Sequence, residues 1–169
     1  MSERMDEKFP ILRLKEDLLR LEELYEKLPV VYQCPFCGFI SPKDLNKSIR
    51  VEVFYYGWPY EDEIVEEEID FCECPKCKTK PKKHYKDSEV LRLSARKLKV
   101  MTQEYKQLRD ELREKLRDEM KFFIKTDEIA YRGWSEEDLT DYPEILKLVR
   151  IAYYRVIAPR DIIPPKFRY

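Results

Sequence analysis

Cys34-Pro35-Phe36-Cys37-Gly38 and Cys74-Pro75-Lys76-Cys77 bracket the stretch whose reading decides the fold. Each is a Cys-Pro-X-Cys turn, tight enough to aim two thiolates at one point. Together they supply a tetrahedral S₄ set, the geometry and ligand softness that Zn²⁺ favours. One zinc held by Cys34, Cys37, Cys74 and Cys77 is the expectation. Structural disulfides and an iron S₄ site are the alternatives for the same sulfurs. Cys72 is surplus to the repeated spelling and replaces Cys74 only by a different loop path. His84, in a Lys/Pro-rich loop beyond Cys77, reads as a solvated residue rather than a ligand. Gly38 follows the first knuckle, where a positive φ is often needed, and Lys78 holds the matching place in the second.

The two knuckles resemble those of the zinc-ribbon superfamily, over about a quarter of the chain. The resemblance implies a ribbon fold and a metal, not an activity. Four thiolates close the coordination sphere and leave no position for water, so the metal would hold the fold rather than catalyse.

Between the knuckles, Ile49, Val51, Val53 and Tyr55 alternate with Arg50, Glu52 and Phe54, and Val65, Ile69 and Phe71 alternate with Glu66, Glu68 and Asp70. This period of two predicts two half-buried strands. Gly57-Trp58-Pro59 breaks the pattern, which places a hairpin tip at 56–63.

Outside the ribbon the apolar period lengthens. Ile11, Leu14, Leu18, Leu21, Tyr25 and Leu28 follow at alternating spacings of three and four, a heptad seam on a helix over 10–28. Pro10 suits its first turn and Pro29 forbids its continuation. Leu91, Leu98, Met101, Tyr105, Leu108, Leu112, Leu116, Met120 and Phe123 predict a second helix over 87–125, capped by Asp87 or Ser88. A third helix begins near Asp141 and Pro143 and presents Ile145, Leu148, Val149, Ala152, Val156 and Ile157. Residues 1–9 read as a polar, frayed start, and 126–140 as a connector with one turn capped by Ser135. The tail carries Ile162, Ile163, Phe167 and Tyr169, too apolar to hang free.

The expected fold is therefore α+β: a zinc ribbon with a long β-hairpin, inserted between two antiparallel coiled-coil-like helices, plus a C-terminal helix. Its parts are a helical hairpin (10–28 and 87–125), the ribbon (30–86), and a C-terminal helix with an extended tail (126–169). The distal part of the second helix needs an apolar partner, either the last helix or a second copy in a homodimer.

Charged residues make up 40% of the 169, yet the net charge is only −1. Asn and Gln are nearly absent while Lys, Glu and Arg abound, the composition of a hyperthermophile, archaeal or an archaeal virus. No apolar run approaches membrane-spanning length and no signal-peptide core is evident, so a cytoplasmic protein without a membrane partner is expected. With one histidine, no phosphate-cradling glycine loop and no nucleophile motif, an enzyme is the weakest expectation.

Charge segregation is the main functional clue. Residues 51–74 carry nine acidic side chains and no basic one, while 75–99 carry ten basic against two acidic. The basic block, Lys76, Lys78, Lys80, Lys82, Lys83, Lys86, Arg92 and Arg96, suits nucleic-acid phosphates. The tip joins Tyr56, Trp58 and Tyr60 to Glu61, Asp62 and Glu63, a combination suited to a protein partner. A solvated surface whose two blocks neutralise each other is the plain alternative. Zinc-ribbon transcript-cleavage factors are similar in plan, with an acidic hairpin tip that enters a polymerase channel; Glu61, Asp62 and Glu63 hold the comparable place. Two functions follow as expectations. One is an accessory protein acting on transcription machinery, RNA polymerase included, or on nucleic acid. The other is a structural or scaffolding component of a virion, ribosome or other complex.

Overall fold

The structure, a computed structural model, describes residues 4–125 and 128–164. They divide into two compact units, residues 30–99 and residues 4–29 with 100–164. Helices and small sheets occur together, as an α+β chain requires.

The unit at 30–99 is built from strands. β1 (Val30–Gln33) and β2 (Ile40–Ser41) flank the first knuckle and pair antiparallel. β3 (Asn46–Tyr55) and β4 (Glu63–Cys72) form a hairpin in unbroken register, from Asn46 opposite Cys72 to Tyr55 opposite Glu63. The alternation sets its faces: Val51, Val53 and Ile69 are buried with Tyr85 and Leu93, and Ile49, Tyr55 and Phe71 pack against them. β5 (His84–Lys86) adds in parallel beside β3, with Tyr85 opposite Val53. β6 (Arg96–Val100) pairs antiparallel with β1, with Leu98 opposite Val31.

β6 overturns the expected helix over 87–125. One helical turn, Asp87–Val90, precedes it, and Lys86 rather than Asp87 or Ser88 stands at its N-cap. Regular helix begins only at Gln103 and ends at Lys115, followed by a 3₁₀ turn, Met120–Phe122, and a short strand, Ile124–Lys125. The reason is the hydrogen-bonding demand of β1, whose second edge needs a partner strand. Arg96–Val100 meets it while burying Leu98 between exposed Lys97 and half-buried Lys99. Leu91, placed in the seam by its spacing, is 87% exposed. Thr102 caps the true helix, its hydroxyl accepting from Tyr105 N at 3.2 Å.

In the second unit, Pro10 opens a 3₁₀ turn, Pro10–Leu14, that leads into the helix Lys15–Glu26. Leu18 and Leu21 from this helix, Tyr105, Leu108 and Leu112 from Gln103–Lys115, and Ile145, Leu148 and Val149 from Pro143–Ile151 share one core. The last helix thus supplies the apolar partner that Leu112 and Leu116 require. Arg20–Glu104 and Lys115–Asp17, each at 3.1 Å, bridge the first two helices. Pro143 occupies the first turn as expected, with Tyr142 in place of Asp141 at the N-cap. Beyond Ile151 the helix widens into a π-turn, Ala152–Ile157. Arg155 from this turn grips Glu22 through Nε at 2.9 Å and Nη2 at 3.2 Å.

Of the expected frayed start, residues 1–3 lie outside the described residues, and residues 5–9 are more ordered than their polarity implies. Met5–Lys8 forms a helical turn, and Phe9 is fully buried, its ring 5.3 Å from that of Trp134 and 5.2 Å from that of Tyr142. The connector forms strands Glu128–Tyr131 and Trp134–Ser135. Ser135 Oγ accepts from Asp138 N, and Asp138 Oδ2 accepts from Ser135 N, both at 3.1 Å, which fixes the turn Asp138–Asp141. In the tail, Ile162–Ile163 is a short half-buried strand; Phe167 and Tyr169 lie outside the described residues. Among the described residues, no helix is long and apolar enough to cross a membrane.

Candidate metal centre

The two knuckles have the same backbone. In the first, Gly38 N donates to Cys34 O at 3.0 Å; in the second, Lys78 N donates to Cys74 O at 3.0 Å. Both residues after the knuckles are left-handed, Gly38 at φ +80° and Lys78 at φ +52°. Lysine takes a conformation there that costs a residue with a Cβ about 1–2 kcal/mol.

These turns bring the sulfurs of Cys34, Cys37, Cys74 and Cys77 within 4.8 Å of one another. The closest approaches run between knuckles: Cys34 to Cys77 at 3.7 Å and Cys37 to Cys74 at 3.6 Å. A tetrahedral ion bound at about 2.3 Å from each sulfur sets sulfur–sulfur distances of about 3.8 Å. A disulfide needs about 2.05 Å, and all five cysteines are free thiols. The four sulfurs can therefore hold one metal ion, and their geometry is not that of two disulfides.

The electrostatics prepare one thiolate. The Thr79 hydroxyl, 3.2 Å from Cys77 Sγ, and then the Thr79 amide draw Cys77 down to about 6. The Phe39 amide works to lower Cys37, but lost solvation and the neighbouring thiols push it up to about 11. Burial raises Cys34, and Phe36 N donates to its sulfur at 3.4 Å. A divalent cation would reverse this balance by holding all four as thiolates.

Cys72 stands outside the set. It is buried at the foot of β4, opposite Asn46, and its amide donates to Leu93 O at 2.6 Å. Together with Cys34, Cys74, Leu45 and Ala95 it forms the small core behind the sulfurs. His84 is also outside: it lies on β5 rather than in a loop, with Nδ1 2.6 Å from Glu52 Oε2.

At the far end of the hairpin the tip spans 56–62, since Glu63 already pairs with Tyr55. Gly57 at φ +82° and Asp62 at φ +45° turn the chain. Trp58 is 97% exposed, and Tyr56 and Tyr60 are exposed beside it. Tyr60 leans on Tyr55 at 4.9 Å between ring centroids. Glu61, Asp62 and Glu63 are exposed as well. Tyr55 donates to Glu67, which pushes its phenol up to about 12.

The basic block, contiguous in sequence, is dispersed in space. Lys78, Lys80, Lys82 and Arg92 line hollows near the second knuckle. Lys86 reaches the tip, where its Nζ sits 5.9 Å from the centre of the Tyr56 ring. Lys76 and Lys83 are exposed, and Arg96 lies on β6; none of these three lines either of the two hollows near the second knuckle. Sequence reasoning missed Lys43 and Lys47, which join Lys78 and Lys80 around the larger hollow. They precede the hairpin and start it, so only the folded register brings them to the second knuckle.

No protein-family model matches the chain, and no curated protein or solved structure matches it.

Proposed function

We propose that the protein is a non-enzymatic accessory factor in which one zinc, held by Cys34, Cys37, Cys74 and Cys77, anchors a hairpin that docks on a large complex handling nucleic acid, with transcription machinery as the leading case. The observation that carries this reading is Trp58. An indole 97% exposed at the end of a hairpin of two ten-residue strands, flanked by exposed tyrosines and carboxylates, gains nothing from this chain's own core. Aromatic side chains of this kind are the usual anchors of protein interfaces. The hairpin's base adjoins the sulfurs, since Asn46 pairs with Cys72 two residues before Cys74. A metal there would hold the base rigid and lower the entropy cost of docking. Glu61, Asp62 and Glu63 suit a basic receiving surface, and the lysines near the second knuckle suit phosphate.

The test is affinity purification from a native host extract, comparing the parent with Trp58→Ala, Glu61→Gln, Asp62→Asn, Glu63→Gln. The parent should retain a nucleic-acid-handling complex. The variant should lose it while keeping its metal content and melting temperature. Equal capture by both would show the tip to be only a solvated turn. Capture of a virion or another assembly without nucleic-acid chemistry would favour a scaffolding role.

A further inference from the structure

We propose that the face of the ribbon beside the second knuckle is a path for single-stranded nucleic acid. The proposal rests on the reading above in one respect, that the cations near this knuckle meet phosphate.

Two hollows lie side by side on the unit at 30–99. The larger, about 910 Å³, is lined by Lys43, Lys47, Lys78 and Lys80 around apolar surface from Ile49 and Phe71. The second, about 260 Å³, shares Thr79 and Lys80 with it and adds Phe36, Lys82 and Arg92. Thr79 and Lys80 thus form a common wall, and the six cations run along both hollows. Asp44, Glu73 and Glu89 are the acidic residues of the linings, so cations outnumber carboxylates two to one.

Three observations separate this surface from an ordinary solvated one. First, none of the six cations makes an ion pair among the described residues, whereas Arg20–Glu104, Lys115–Asp17 and Arg155–Glu22 pair within the other unit. One of the three acids is already engaged, since Asp44 Oδ1 accepts from Asn46 N at 2.9 Å. Second, each hollow carries an aromatic ring: Phe71 half-buried in one, and Phe36, 48% exposed, in the other. Third, Lys78 holds φ +52° where glycine would be relaxed, which places a cation at this point despite the backbone cost. Spaced cations for a phosphate backbone, with aromatic faces for unstacked bases, are the features of single-strand binding. Stacked duplex bases offer no free face to such rings, so single strands are preferred.

The experiment is fluorescence anisotropy of a fluorescein-labelled dT₁₅ strand titrated with the full-length, metal-loaded protein across a salt series. Competition uses unlabelled dT₁₅ and a duplex of the same length. The parent should bind with a steep salt slope and release the label to single strand before duplex. Lys43→Ala with Lys47→Ala should weaken binding about tenfold and flatten the slope by about 0.7 for each phosphate left unneutralised. Phe36→Ala should weaken binding about fivefold or more with the slope unchanged, because stacking releases no counterions. Circular dichroism and metal content equal to the parent's show that each variant is folded. If the parent binds but Lys43→Ala with Lys47→Ala and Phe36→Ala both match it, while Lys76→Ala with Lys83→Ala is weakened, the path lies elsewhere on the basic loop and the proposal falls alone. If the parent binds no dT₁₅ even at low salt, the proposal falls together with the nucleic-acid part of the function, and docking through the tip stands unaffected. Preference for duplex overturns the single-strand assignment.

Discussion

Among the described residues of the helical unit nineteen buried side chains form one continuous cluster, whereas at 30–99 there are two clusters of five, one of them three-fifths cysteine, with Val31, Ile40 and Leu98 buried outside both. Arg20–Glu104, Lys115–Asp17, Arg155–Glu22 and Arg132–Glu119 pair within the helical unit, while at 30–99 His84 Nδ1 lies 2.6 Å from Glu52 Oε2. Burial of apolar surface can hold the first unit together. In the second the clusters are smaller, and a metal at the four sulfurs would add to what holds about 70 residues together.

The largest test of that contrast is to remove the metal. A structural zinc site contributes about 10–16 kcal/mol of folding free energy. Chelation, or Cys74→Ser, should therefore unfold the unit at 30–99 and leave the helical signal in circular dichroism in place. Cys72→Ser should retain one zinc per chain by elemental analysis. Loss of zinc from Cys72→Ser with retention in Cys74→Ser would overturn the ligand assignment, and one iron per chain would overturn the metal.

The converse change strikes the helical unit. Leu112 is fully buried in its core, and Leu112→Ala should cost about 2–5 kcal/mol. The expected readout is a lower melting temperature for the helical signal with metal content unchanged.

A smaller effect separates two buried tyrosines of that unit. Tyr131 OH accepts from Ile11 N at 3.1 Å, whereas Tyr105 OH is buried without a hydrogen-bond partner among the described residues. Tyr131→Phe should cost about 1–3 kcal/mol, because it strands a buried amide. Tyr105→Phe should be neutral or stabilising by thermal melts. Burial pushes both phenols up to about 12, against 10 for an ordinary tyrosine. The unfolded chain therefore ionises first as pH rises. The stabilisation is complete below about pH 10 and is lost on approaching pH 12. Melting curves at pH 8 and pH 11 should show this loss in the parent and less of it in Tyr105→Phe.

The knuckles and the hairpin were legible because their signals are local: a four-residue spelling repeated, and a strict alternation from Ile49 to Tyr55. Residues 87–125 were not. Leu91 and Leu98 are seven apart, as in a heptad, but Leu98 also alternates with Lys97 and Lys99, and the unpaired edge of β1, more than sixty residues earlier, decided for the strand. No window of sequence contains both. Phe9 was hidden for a similar reason, since its partners Trp134 and Tyr142 lie far along the chain. At the sites, the cysteines could be read from spacing alone. The hollow needed Lys43 and Lys47 carried to Lys78 and Lys80 by a register of ten paired residues, information that charge counting does not hold.

β4 has a consequence for how copies of this protein share a solution. It is an edge strand, ten residues long, on the outside of a three-stranded sheet. An edge of that length is a template for another chain's backbone, the usual start of sheet-to-sheet aggregation. Glu63, Glu66, Glu67, Glu68 and Asp70 occupy half of its positions. Two copies approaching edge to edge would set five carboxylates against five within a few ångströms. The acidic run that reads as a partner signal is thus also a colloidal guard, letting so long a hairpin stand free at high concentration without joining its neighbours into a fibre.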